Sequence, residues 1–281
     1  MRELLKKIEE NFFKTLMVAC MAIVFGCLIL ILVTVIRKGM GAMNLDMLTK
    51  TPEGGYYLGK GGGVLNAIIG SCILTVAATA TALAISIPVA LYLNVYSKKN
   101  SRLGALIRLS LDILWGIPSV VYGAFGFTLM IFFGIKASLL GGIITVSLFI
   151  LPIMARAMDE VMALVPVELL EASYSVGATK LETAVKVVIR QTLPGIVSAA
   201  LIASGRGIGD AASVIFTAGF TDRIPESIFQ PVATLPLAIF FQLGTPFPEV
   251  QERAYASAFI LTMLILAISI VVRALSSRFK N

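Results

Sequence analysis

Two ionisable side chains, Arg206 and Asp210, stand four residues apart in an otherwise apolar stretch, Gly195 to Gly219, that is crowded with small residues. A charge at the centre of a bilayer costs about 2.5–3.5 kcal/mol on insertion scales, so it is kept for pairing or for function. On one helix a spacing of four puts both groups on the same face. Two chemistries fit that placement. The pair is a neutral brace between helices, or it is a polar surface lining a solute path near mid-membrane. Ala199, Ala203, Gly205, Gly207 and Gly209 around it let neighbouring backbones come close.

Other chemistries fall away. The chain has no histidine and three cysteines, Cys20, Cys27 and Cys72. Cys20 and Cys27 lie two helical turns apart, too far to pair with each other, and no cluster has metal-ligand spacing. Gly54-Gly-Tyr-Tyr-Leu-Gly59-Lys60-Gly61 approaches a P-loop, but Gly61 stands where a magnesium-holding hydroxyl is needed and no strand precedes it. Ser204-Gly-Arg-Gly-Ile-Gly209 likewise lacks the βαβ setting of a dinucleotide site. The residues do not describe an enzyme.

The elements that must position Arg206 and Asp210 are membrane spans. Apolar residues make up 58% of the 281 and charged ones 14%, where a soluble domain carries roughly a quarter charged; mean hydropathy is +0.93. Runs of the roughly 20 residues that cross a bilayer lie near 14–36, 64–95, 109–133, 137–155, 195–219 and 254–275, which predicts six helices. The first run exceeds the apolar core of a cleaved signal. With the N-terminus cytoplasmic, basic residues fall mainly on the inside, among them Lys6, Lys98, Arg108, Arg156, Lys186 and Arg273. Both termini and the loop 156–194 are then cytoplasmic, and 220–252 faces outward. The net charge of +7 reflects that orientation rather than binding to nucleic acid; the contact surface is membrane lipid.

Between the fourth and fifth runs lies a polar stretch with its own helix signals. Pro166 suits a helix start, Val167 to Ser175 give an amphipathic turn or two, and Gly177 is placed to end them in a left-handed conformation. Thr179-Lys-Leu-Glu182 is a capping box that opens a second helix running toward Pro194. A loop this structured either connects two spans or contacts something. In the third run Gly116-Ile-Pro118 predicts a kink, because proline removes a backbone bond and strains the preceding turn.

Glu171-Ala-Ser, then Gly177, then Pro194-Gly195-Ile196 resembles the EAA loop of ABC-importer permeases, which docks into a separate ATPase. Four further segments extend the likeness: Gly62 to Gly70, Leu91-Tyr-Leu with Tyr96, Gly116-Ile-Pro-Ser-Val-Val-Tyr-Gly123, and Gln230-Pro-Val-Ala-Thr-Leu-Pro236. In this order they resemble the PstA-type permeases of phosphate ABC importers over about residues 62–275, leaving 1–61 as an N-terminal segment, first span and outer loop, and 276–281 as a tail. There are departures. Gly209-Asp210 stands where Gly-Glu is usual, Ser173 replaces the second alanine, and Ile189-Arg190 replaces a common Leu-Pro.

The resemblance implies an all-α membrane protein of the type I ABC importer permease kind, with no cofactor of its own. It implies two copies of an ABC ATPase subunit, a homologous PstC-type permease and an extracytoplasmic phosphate-binding protein as partners. Glu171, Ala172 and Gly177 would couple to the ATPase, and Gly116 and Pro118 would gate or kink. Arg206 would meet phosphate oxygens while Asp210 accepts the O–H of the protonated ion, disfavouring sulfate. An ion-coupled secondary transporter or channel for a small anion remains the other reading of a polytopic chain with a charged pair.

Overall fold

The computed structural model describes residues 2–53, 61–97 and 101–278. The near-P-loop glycines from 54 to 60, Lys98, Lys99 and the last three residues lie outside them. Among the described residues the chain is helical, with one isolated bridge between Pro52 and Gly62 and no strand.

Four long helices span without a break. They are α1 (Arg2–Ala42), α3 (Leu65–Leu91) with the π-turn Tyr92–Tyr96 that continues it, α6 (Leu139–Ala163) and α11 (Pro248–Arg278). The small α2 (Leu45–Thr49) follows α1, its start capped by the Asn44 side chain. With the stretch Lys180–Ile208, five helices are long and apolar enough to cross a membrane, and the expected six are reached if the bent pair of the third run is one span.

The third run is not one kinked helix. It is α4 (Arg102–Gly116) and α5 (Ser119–Phe132), bent by 100° at Ile117-Pro118. Proline disfavours the α conformation in the residue before it, and Ile117 is accordingly extended. The bend falls at the predicted residues but is a break.

The fifth run is displaced toward the N-terminus. A continuous helical stretch covers Lys180–Ile208, made of α8 (Lys180–Glu182), the π-turn Thr183–Ile189 and α9 (Arg190–Ile208). Pro194 does not divide it. The loop helix and the span are one rod, and residues 210–219 are turns rather than helix. The loop proper, 164–179, is shorter than the expected 156–194, because α6 runs on to Ala163.

The core lies where α3, α6 and α9 meet. Ala78 and Ala82 of α3, Phe149, Ile150, Met154 and Met158 of α6, and Ala199 and Ala203 of α9 are all buried. The face Ala199-Ala203-Gly207 seats α9 on α6, where a side chain at Gly207 would press on Val146 and Ile150. A second cluster sits at the far end: Met47, Val64, Ala67, Leu235, Ala238, Ala256 and Ile260. It holds α10 (Leu235–Leu243), the apolar helix within the segment 220–252. α1 packs on α11 and turns most of its apolar side chains outward.

Candidate functional site

The loop behaves as its residues dictate. α7 (Val167–Ser175) follows Pro166 directly. It ends in a Schellman motif, with the amide of Ala178 donating to the Ser173 carbonyl and that of Gly177 to the Tyr174 carbonyl. Gly177 has φ +83°, which a side chain with a Cβ tolerates poorly. Both halves of the Thr179–Glu182 capping box are formed. Ser173, the departure from alanine, is used: its hydroxyl lies 2.9 Å from that of Thr183 and ties α7 to the next helix.

None of α7's residues is buried, and Glu171, Ala172 and Gly177 are all exposed. Around them Leu164, Val167, Val176 and Leu181 are more than half exposed. Exposed apolar side chains on a structured loop are of the kind that suits a contact surface.

Arg206 and Asp210 do not form the expected pair. The helix ends at Ile208 with Gly209 as its cap, so a spacing of four no longer places them on one face. Among the described residues no ion pair or hydrogen bond joins them, which removes the brace. Arg206 is exposed, in the last turn of α9, with its guanidinium 5.1 Å from the centre of the Phe149 ring. Phe149 lies near the middle of α6, so Arg206 keeps its mid-bundle depth. Phe149 in turn meets Tyr122 of α5 edge-on at 5.7 Å.

Asp210 turns the other way. Its Oδ2 accepts the Ser213 amide at 2.7 Å and caps the turns that follow. It also borders a small polar recess with Ser71, Thr75 and Thr234. The turns 211–218 run against α5 and α6: a Cβ at Gly123 would come within 3 Å of the Ala212 and Ser213 carbonyls. Thr217 and Ala218 are paired outward, their carbonyls accepting from Ser138 and Val232. Irregular backbone at membrane depth survives only where protein buries it or where it lines a water-filled cavity.

A charged cluster near the loop end of α6 was not visible as a site in the sequence. The carboxylate of Asp159, 1% exposed, accepts Arg108 Nε at 2.8 Å and Nη2 at 3.0 Å, Arg156 Nη1 at 2.8 Å and Asn94 Nδ2 at 2.9 Å. In sequence Arg108 and Arg156 read only as orientation charges. The signal that was there is the i,i+3 spacing of Arg156 and Asp159.

Comparison with known proteins places the chain. Residues 82–281 match the family described as binding-protein-dependent transport system inner membrane component. The chain is similar to the phosphate transport system permease protein PstA of Xylella fastidiosa, 34% identical over 267 residues, which are 94% of this chain and 91% of that protein. The PstA of Yersinia pestis is 32% identical over 90% of this chain and 85% of its own length. The PstA 2 of Mycobacterium tuberculosis is 27% identical over 95% and 88%. Among solved structures, an inward-facing MetNI methionine ABC transporter chain shares the fold at TM-score 0.63 and 19% identity, covering 76% of this chain and 95% of that one.

Proposed function

The chain belongs to the family of binding-protein-dependent transport system inner membrane components, and on that premise we propose that it is the permease subunit of an ATP-driven importer of inorganic phosphate. The observation that carries the cargo is the likeness to a phosphate permease along 94% of the chain at 34% identity. ATP hydrolysis then belongs to a separate subunit, and substrate arrives from a binding protein. Family membership removes the ion-coupled secondary transporter or channel. The protein is a multi-pass component of the inner membrane, oriented with both termini and the 164–179 loop in the cytoplasm by its basic residues.

The finer assembly is this chain with a homologous PstC-type permease and two ATPase subunits. The exposed surface of α7, with Glu171 and Ala172, docks on one ATPase, and the Gly177 turn sets its angle. ATP closure draws the docked loops together. Arg206 meets the anion: an exposed guanidinium beside an aromatic ring, at the break of a span, offers charge-assisted bonds to phosphate oxygens. Asp210 shapes the path by capping the turns beyond the break. Because the two side chains diverge, rejection of sulfate by both acting together loses its support. The elbow at Gly116 and Pro118 is where α4 and α5 change their mutual angle during gating.

Labelled phosphate uptake in cells with and without this chain tests the cargo. Arg206→Gln should abolish uptake at normal membrane abundance, with Arg206→Lys retaining part of it. Normal uptake by Arg206→Gln would take Arg206 off the path.

A further inference from the structure

We propose that Asp159 is a positioning residue, a clamp that makes α4 move with the coupling loop and so carries the ATPase's motion to the 100° elbow; this rests on the importer reading above. One buried carboxylate gathers three elements: Arg108 of α4 through two parallel bonds, Arg156 of its own α6, and Asn94 of the π-turn ending the second span. The assembly is extended at both edges. Arg156 Nε bonds Asp112 of α4 at 2.8 Å, and Arg108 Nη2 reaches the Leu93 carbonyl at 3.4 Å.

Within this chain α4 has few other polar contacts, chief among them the Tyr122 hydroxyl of α5 donating to its Leu114 carbonyl at 2.8 Å. Gly104 and Leu111 are its only buried residues, while Leu103, Leu106, Leu109 and Ile113 are more than half exposed. A helix with so little apolar packing follows whatever its ionic contacts follow. Asp159 lies one turn before the end of α6 at Ala163, and the docking helix α7 begins at Val167. Displacing the loop therefore pulls directly on the clamp.

Beyond the clamp the contacts are continuous. α4 turns into α5 at Ile117-Pro118, and Gly123 of α5 rests on the backbone of Ala212 and Ser213, just past Arg206. A forked arginine–carboxylate contact fixes orientation as well as distance. That is a use for a buried ionic cluster where apolar packing would be at least as stabilising.

The test uses the chain assembled with its partner permease and ATPase subunits in proteoliposomes. Amide exchange of α4 and of the loop is followed with and without ATP, beside ATP hydrolysed per phosphate imported. In the wild type, ATP should alter exchange in both segments. In Asp159→Asn the loop should still respond and α4 should not, with ATP per phosphate rising about 5-fold or more, the lower end of coupling between sites. Arg108→Lys keeps the charge and loses the fork, so it should show the same change in part; it decides the matter if Asp159→Asn does not accumulate. Persistence of the α4 response in these variants overturns the proposal. So does parallel loss of uptake and hydrolysis at an unchanged ratio. A wild-type assembly whose α4 responds to ATP through Asp159 but which imports no phosphate would overturn the cargo and leave the clamp standing.

Discussion

Gly177→Val isolates backbone conformation at the docking loop. A Cβ built on Gly177 meets nothing within 4 Å, yet φ there is +83°. Within this chain the substitution therefore costs strain and not space. A left-handed L-residue costs roughly 1–2 kcal/mol, with a β-branched one at the upper end. That is about a 5–30-fold shift in population away from the Schellman turn that aims α7. Uptake and stimulation of the ATPase should fall by about that factor, with membrane abundance unchanged because the turn is exposed. Gly177→Asn, which tolerates the left-handed region, should lose much less. Normal transport by the valine variant would refute the role of the turn. Equal loss by valine and asparagine would show instead that the ATPase approaches too closely for any side chain.

Gly123→Ala should lower the thermal stability of the detergent-solubilised protein by an amount equivalent to about 1–3 kcal/mol, since the new methyl would lie 2.8 Å from the Ala212 carbonyl; an unshifted midpoint would mean that α5 is not seated on that backbone. In a cysteine-free background, Ser227→Cys should react with an impermeant thiol reagent from outside intact cells and Thr179→Cys should not, both positions being exposed. The opposite pattern would invert the topology.

What was legible in the sequence is what local rules govern. The bounds of α7, the left-handed Gly177 and the Thr179–Glu182 box depend on a few neighbouring residues, and each formed as those residues imply. The spans were legible as apolar mass, though not in their ends. Polar residues such as Arg156 and Asp159 end an apolar run without ending a helix when they are paired, so α6 outlasts the run near 137–155. The Asp159 cluster was hidden for a related reason. Its partners on other elements lie 51 and 65 residues away; Arg108 was already accounted for as an orientation charge, and Asn94 is an uncharged residue at the end of an apolar run.

The breaks were the hardest to read, because hydropathy measures composition and a break is a matter of where backbone bonds go. Residues 211–219 are apolar and small enough to continue the helix that precedes them. They leave the helix after Ile208 because other partners are at hand: Asp210 caps Ser213, Ser138 takes the Thr217 carbonyl and Val232 that of Ala218. Small residues permit the exchange, since Gly123 brings α5 onto the freed backbone. The cost of unwinding inside a membrane is thereby offset by neighbours rather than by lipid. The same glycines and alanines that read as close helix packing thus serve a second purpose. They leave room for a stretch of non-helical chain beside the exposed Arg206, where the proposed anion path would have most use for it.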